Sequence, residues 1–157
     1  MKKNQGFSLV ELIVVIAIMA VLVGVLAPAY LRYVEKSRKS TDTSNISDMM
    51  GAAEKVAIDP QADVASGDTF TISSNGDGEV TVTSSNTTAT PMFQEIANMK
   101  NGYTMKSKAF KAEGTITGSV GPDGEVTWNV HTGVFATGDA DTTMGGYSAD
   151  FAAKFGS

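Results

Sequence analysis

The sequence contains no cysteine and only one histidine, His131. The lack of cysteine excludes disulfides, thiolate metal sites and cysteine nucleophiles. A lone histidine leaves little for a metal centre or a catalytic triad, and no phosphate-binding loop, GxGxxG motif or complete nucleophile elbow occurs. The sequence therefore predicts a protein that is not an enzyme and holds no cofactor and no metal.

Positive charge is also scarce, with 12 Lys and Arg against 17 Asp and Glu. From residue 61 onward the imbalance is stronger, at 5 Lys against 11 acidic residues. Phosphate backbones attract basic proteins, so we expect no direct nucleic-acid binding. One basic cluster stands out in this part of the chain, Lys100, Lys106, Lys108 and Lys111. It is compatible with contact to DNA or to another subunit, although edge-strand lysines commonly serve to prevent aggregation.

Charged residues are missing from Leu12 to Leu31, a run of about 20 residues that would form a helix about 30 Å long. That length matches the hydrocarbon core of a bilayer, so the run predicts a membrane-spanning helix. Lys2 and Lys3 precede the run and four basic residues follow it between 32 and 39. Basic residues on both sides leave the orientation undecided.

A secretory signal peptide is the alternative interpretation of this N-terminus. Ala27-Pro28-Ala29 would be its cleavage site, and the product would be a soluble secreted binding protein that starts at Tyr30. The apolar run is longer than the usual signal-peptide core of about 7 to 15 residues. Glu11 also interrupts its start, where a signal peptide has no use for an acid.

Glu11 lies at the edge of the apolar run, where an ionised and unpaired carboxylate is costly. A cut between Gly6 and Phe7 would create a partner, because the new α-amine has an unperturbed pKa of about 7.7 to 8. The amine and the carboxylate would then be four residues apart along a helix. The alternative is that Glu11 simply reaches out to the membrane interface.

The segment GFSLVELIVVIAIM, which follows a short basic leader, resembles the class III signal and N-terminal helix of type IV pilins and the related pseudopilins. The resemblance covers residues 2 to about 39. It implies that a prepilin peptidase cuts after Gly6 on the cytoplasmic side and methylates Phe7. It also implies that, in the growing filament, Glu11 is neutralised by the N-terminal amine of a neighbouring subunit.

Gly24 and Pro28 lie four residues apart within the apolar run. Proline has no N–H to donate to the carbonyl of Gly24, and glycine is a weak helix former, so we expect the helix to bend or loosen there. The resemblance implies local unwinding of the helix at this proline within the filament. A harmless kink is the alternative.

Four regions are predicted along the chain. They are a cytoplasmic leader of residues 1–6, a hydrophobic helix of residues 7–31, an amphipathic half of the same helix over residues 32–59, and a β-rich head of residues 60–157. The polar stretch Glu35 to Asn45 has no clear apolar face, so by itself it fits a linker or an exposed helix. Apolar residues at helical spacing from Ile46 to Ala57 predict a helix that ends near Pro60. One continuous helix from Phe7 to Ile58 is implied by the resemblance.

The head is predicted to contain two β-hairpins, at residues 70–82 and 116–130, because apolar residues alternate on both sides of glycine-containing turns. A short helix is expected between them, with Thr90 as N-cap, Pro91 at its first position and Gly102 as its stop. A further strand is expected near residues 103–110, and a loop with a short helix over residues 138–157. The predicted fold class is α+β, a long N-terminal helix packed on an antiparallel β-sheet.

The resemblance implies a structural, major subunit of a type IV pilus, a homo-oligomeric helical filament on the cell surface for adhesion, motility or biofilm. Its implied partners are the prepilin peptidase, the pilus assembly machinery, and membrane lipid before assembly. The alternative within the superfamily is a major pseudopilin of a type II secretion or DNA-uptake system. Some pseudopilins bind calcium, but the aspartates of the predicted turns and tail, Asp77, Asp123, Asp139 and Asp141, lack EF-hand spacing.

Overall fold

The structure is a computed structural model that describes residues 6–99 and 102–135, without the side chains of Ala109, Asn129, Val130 and His131. Several sequence-based expectations lie outside the described residues. They concern leader residues 1–5, Lys100, and the tail from residue 138 with Asp139 and Asp141. The chain divides into two compact units, Met1–Lys36 and Ser37–Ser157, each described by itself below.

The first helix, α1, is Leu9–Ala57 and has 49 residues. It is one or two residues shorter at each end than the predicted helix, and the polar stretch between Glu35 and Asn45 is helical. In the first unit the side chains from Phe7 to Tyr33 are exposed, although most of them are apolar. By length and composition this part of α1 is suited to cross a membrane.

The described part of the head contains a five-stranded antiparallel sheet with the order β3-β2-β1-β4-β5. Its strands are β1 (Thr69–Ser74), β2 (Glu79–Ser84), β3 (Tyr103–Thr104), β4 (Gly114–Val120) and β5 (Val126–Gly133). Both predicted hairpins are confirmed, as β1 with β2 and β4 with β5. The two hairpins join through antiparallel pairing of β1 with β4, where Ile72 lies opposite Ile116.

One face of the sheet and the second half of α1 form the core of the head. Alternate residues of each strand point to the same face, which is why the buried positions of β1, β2 and β4 recur every second residue. From the sheet the core includes Phe70, Ile72, Val80, Val82, Ile116, Val120 and Trp128. From α1 it includes Ile46, Met49, Met50, Ala52, Ala53, Val56 and Ala57.

The second helix, α2, is Ala89–Ile96 and begins one residue before the predicted N-cap. Thr90 is therefore not the N-cap, and that prediction was wrong. The side-chain oxygen of Asn86 accepts hydrogen bonds from the N–H groups of Thr88 and Ala89, at 2.8 and 3.2 Å. The Thr90 hydroxyl instead accepts from the Ser84 N–H at 3.0 Å. Asn86 thus satisfies the first turn of α2 from outside the helix.

Candidate functional site

The start of α1 is closed by a reciprocal pair of side chains, Ser8 and Glu11. The Ser8 N–H donates to Glu11 Oε2 at 2.8 Å, and the Val10 N–H donates to Ser8 Oγ at 3.4 Å. The first main-chain bond of the helix runs from the Leu12 N–H to the Ser8 carbonyl at 3.2 Å. This arrangement is a capping box, in which two side chains satisfy N–H groups that a helix start leaves without partners.

The capping box holds the Glu11 carboxylate at the first turn of α1, where a negative charge is also favoured by the helix dipole. Phe7 precedes Ser8 and is 94% exposed, and Gly6 is exposed as well. The spacing Ser-x-x-Glu of a capping box is readable in the sequence, although the sequence-based expectation paired Glu11 only with an α-amine or with the membrane interface. Glu11 has a hydrogen-bond partner in its own chain before any cut.

Gly24 and Pro28 both lie within α1, and the helix is assigned without interruption through both of them. The Pro28 carbonyl accepts a long hydrogen bond of 3.4 Å from Arg32 Nε, one turn further along. The expected bend or loosening of the helix at these two residues stays a prediction.

A buried carboxylate lies in the polar stretch of α1 that belongs to the head. Asp42 is 0% exposed. Its carboxylate accepts hydrogen bonds from the Tyr103 hydroxyl, from the Lys106 N–H at 3.0 Å and from the Ser107 N–H at 2.7 Å. Asn45, almost one turn later, donates to the Tyr103 oxygen at 2.8 Å. We call these five residues the Asp42 clasp.

The Asp42 clasp joins α1 to a segment of chain more than 60 residues away, which consists of β3 and the start of the connection between β3 and β4. A buried carboxylate is tolerated when its oxygens are hydrogen-bonded, and main-chain N–H donors to a charged acceptor make strong bonds. Sequence reasoning missed Asp42 because hydrophobic periodicity carries no information about a polar residue among other polar residues. A distant partner such as Tyr103 leaves no local signal either.

The clasp makes a prediction for high pH. Burial, followed by the hydrogen bond to Asp42, raises the pKa of Tyr103 to about 12, against about 10 in an unfolded chain. Because the pKa of Tyr103 is higher in the folded chain, its protonated hydroxyl contributes fully to the stability of the head below about pH 10. This contribution is lost as the pH rises toward 12. We expect absorbance titration of the full chain to show a late tyrosinate step that Tyr103→Phe removes. An unchanged late step in Tyr103→Phe would contradict the assignment.

Comparison with known proteins finds similarity to one family and to three individual proteins. Residues 1–27 match the family described as the prokaryotic N-terminal methylation motif. The chain is 27% identical over 121 residues to the type IV major alpha-pilin of Moraxella bovis. The aligned stretch covers 77% of this chain and 71% of that protein. Two fimbrial proteins of Pseudomonas aeruginosa are 32% identical over 66 residues, 42% of this chain and 43% of theirs. The comparison with solved structures found no significant match.

Proposed function

Because the chain belongs to the type IV pilin family, we propose that it is a major structural subunit of a type IV pilus. The observation that carries this proposal is the match of residues 1–27 to the methylation motif, directly before an exposed apolar helix. Pilins are structural subunits and not enzymes. The relatives are a pilin and fimbrial proteins, which favours a pilus over the pseudopilus of a secretion or DNA-uptake system.

In this proposal the chain is first held in the membrane by residues 7–31, with leader residues 1–6 in the cytoplasm. Prepilin peptidase then cuts after Gly6 and methylates Phe7. Both residues are exposed and lie before the first residue of α1, so the bond between them is outside the helix. Residues 32–59 continue into the head, and residues 60–157 form the outer part of the subunit.

The exposed apolar side chains of the first unit must be buried against other molecules, both before and after assembly. The large apolar residues between Leu9 and Leu31 are each about half exposed or more, from Val14 at 49% to Leu9 at 73%. Exposed apolar surface of this extent is typical of a membrane or subunit interface. Lipid would cover it in the precursor, and helices of other copies would cover it in the filament. Loosening at Gly24 and Pro28 would adjust the helix to that packing.

Glu11 would select the docking position. In a helix bundle that excludes water, a carboxylate and an α-amine are tolerated when they meet. The capping contact with Ser8 holds the carboxylate at the turn of the helix next to Phe7. This placement supports pairing of Glu11 with the Phe7 amine of a neighbouring subunit.

Mass spectrometry of the N-terminus, in filaments sheared from cells, tests the processing step. We expect a chain that begins with N-methylated Phe7. As a control, Gly6→Val should keep Met1, because a branched side chain replaces hydrogen beside the cut bond. No atom lies within 4 Å of the position that a Cβ on Gly6 would take, so the substitution leaves the described fold intact. A start at Tyr30, or an intact Met1 in the unaltered protein, would contradict the proposal.

A further inference from the structure

The face of the sheet that points away from the core carries a row of threonines across its middle. In β1, β2 and β4 the buried positions alternate with positions that are partly or fully exposed. The register places Thr71 opposite Thr83 on one side and opposite Thr117 on the other. Thr83 is exposed, while Thr71 and Thr117 are half-buried between neighbouring strands. These three residues form the central row of this face.

Two further rows of hydroxyl side chains flank the central row. One row consists of residues that lie opposite one another in turn, Thr81, Ser73, Thr115 and Thr132. The other row consists of Thr69, Ser119 and Thr127. We call the surface formed by the three rows the hydroxyl face. It extends over β2, β1, β4 and β5, which are neighbours in the sheet.

The hydroxyl face differs from an ordinary solvent-facing surface in its charge. Among the described residues, no charged side chain lies within the three rows. Three acids lie at the ends of the strands, where Glu79 begins β2, Glu113 precedes β4 and Glu125 precedes β5. The surface of a soluble domain is normally about 25 to 35% charged. Depletion of charge is instead characteristic of the centre of a protein–protein interface.

Most of the head surface repels other copies of the head. From residue 61 onward 11 acidic residues outnumber 5 Lys, so two heads that approach each other generally meet like charge. This repulsion is weakest where both surfaces lack charge. Threonine is also stiff at χ1, so ordering its side chain in a contact costs little entropy. The hydroxyl face is therefore the surface on which two heads meet at the lowest cost.

The hydroxyl face is also complementary to a copy of itself. Each hydroxyl group has one donor and two acceptor sites. Among the described residues, one pair of hydroxyls on this face is hydrogen-bonded, Ser73 Oγ with Thr81 Oγ1 at 2.8 Å. The remaining hydroxyls keep donor and acceptor sites that a facing copy can use. Two sheets that pack face to face are about 10 Å apart, a distance that short side chains can bridge.

We propose that the hydroxyl face binds the same face of a second copy of this chain. Four strands that are about 4.8 Å apart and about six residues long give a projected area of roughly 400 Å². A standard protein–protein interface buries about 800 Å² on each partner. A single contact of this size is therefore too weak to hold two isolated chains together. Many such contacts in parallel, along an assembled filament, would hold through avidity.

The symmetry of this contact decides which copies it joins. Successive subunits of a filament are related by one repeated step, which brings different surfaces together, whereas a face that meets its own copy makes an isologous contact. The contact therefore joins subunits of two filaments that lie side by side. The inference rests on the proposed filament. Within the head, the second half of α1 packs on the opposite face of the sheet and leaves the hydroxyl face uncovered.

The test measures lateral association of sheared filaments by low-speed sedimentation, with electron microscopy of the pellet. We expect unaltered filaments to associate more as NaCl increases, because salt screens the repulsion between acidic heads. Thr71→Glu should reduce the sedimented fraction at least about tenfold, because like charges then face each other in the contact. Thr71→Ser keeps the hydroxyl and should associate like the unaltered filament. Gln61→Glu adds the same charge at an exposed residue outside the sheet and should also associate normally.

A charge exchange tests whether the partner is the same face. Thr71→Lys filaments should also fail to associate with one another. A mixture of Thr71→Glu and Thr71→Lys filaments should associate again, because opposite charges then meet across the contact. The proposal is wrong if the two kinds of filament stay apart in the mixture. It is also wrong if Thr71→Glu and Gln61→Glu filaments sediment alike.

Thiol labelling shows whether the hydroxyl face becomes covered. The chain has no cysteine, so Thr71→Cys and Gln61→Cys each carry a single thiol. Both thiols should react with a maleimide when single chains are held in detergent. In associated filaments the Thr71→Cys thiol should lose most of its reactivity, while the Gln61→Cys thiol keeps its own.

The labelling also identifies other occupants of the hydroxyl face. A Thr71→Cys thiol that is already protected in single chains would show that another part of the same chain covers the face, which would overturn the proposal. Protection only after addition of a neutral polysaccharide such as dextran would contradict it as well. A lack of filaments from the unaltered protein would instead contradict the proposed pilus subunit, which separates the two failures.

Discussion

Glu11→Val is expected to abolish filament assembly while membrane insertion and removal of the leader continue. Valine fits the apolar run, so the precursor still inserts. The Phe7 amine of the docking neighbour would then be buried without its carboxylate, at a cost of about 3 kcal/mol or more. That cost lowers the docking constant over a hundredfold. Immunoblots of the sheared surface fraction should lose the subunit, while the cell fraction keeps the cut chain.

The capping box makes a sharper control possible. The amide oxygen of Glu11→Gln can still accept from the Ser8 N–H, a bond of 2.8 Å in the unaltered chain, but the charge is gone. We expect Glu11→Gln to fail in assembly as Glu11→Val does. Ser8→Ala removes the hydroxyl cap at a cost of about 1 kcal/mol and keeps the carboxylate, so it should assemble. Normal filaments from Glu11→Gln would refute the charge-pairing role and leave Glu11 as a helix cap.

The two hairpins were predictable because local chemistry determines each of them. Gly78 has φ +81° and Gly124 has φ +79°, and the left-handed region that these turns need favours glycine. Period-two alternation of apolar residues then sets which face is buried. The order of the strands was not predictable in the same way. Pairing of β1 with β4 joins strands 40 or more residues apart, and no local signal specifies it.

The same difference between local and distant signals decided which parts of the candidate site could be predicted. The segment from Gly6 to Glu11 is recognisable because all its elements are contiguous, including a capping box that sequence reasoning overlooked. The role of Asp42 could not be predicted from the sequence, because the groups that donate hydrogen bonds to it belong to Tyr103, Lys106 and Ser107. These residues follow the whole of the β1–β2 hairpin and α2 in the chain. The start of α2 was misplaced for a related reason. Asn86 caps that helix from the preceding loop, which left the Thr90 hydroxyl to bond with Ser84.

Asp42→Ala is expected to destabilise the head more than any other single change named here. The substitution takes the acceptor from the Tyr103 hydroxyl and from the N–H groups of Lys106 and Ser107. A buried donor that loses its acceptor costs about 1 to 3 kcal/mol, so we expect a loss of about 3 to 5 kcal/mol. That is a large share of the stability of a typical domain, about 5 to 15 kcal/mol. Hydrogen exchange of the full chain in detergent should accelerate over a hundredfold at the Lys106 and Ser107 amides.

Two variants separate the loss of the clasp from the loss of an acidic residue on α1. Asp42→Asn keeps one oxygen acceptor, so we expect roughly half the destabilisation and a smaller change in exchange. Asp48→Ala removes an exposed aspartate from the same helix and should stay within about 0.5 kcal/mol of the unaltered chain. If the Asp42→Ala and Asp48→Ala variants had the same melting temperature and the same amide exchange rates, the Asp42 clasp would not stabilise the head.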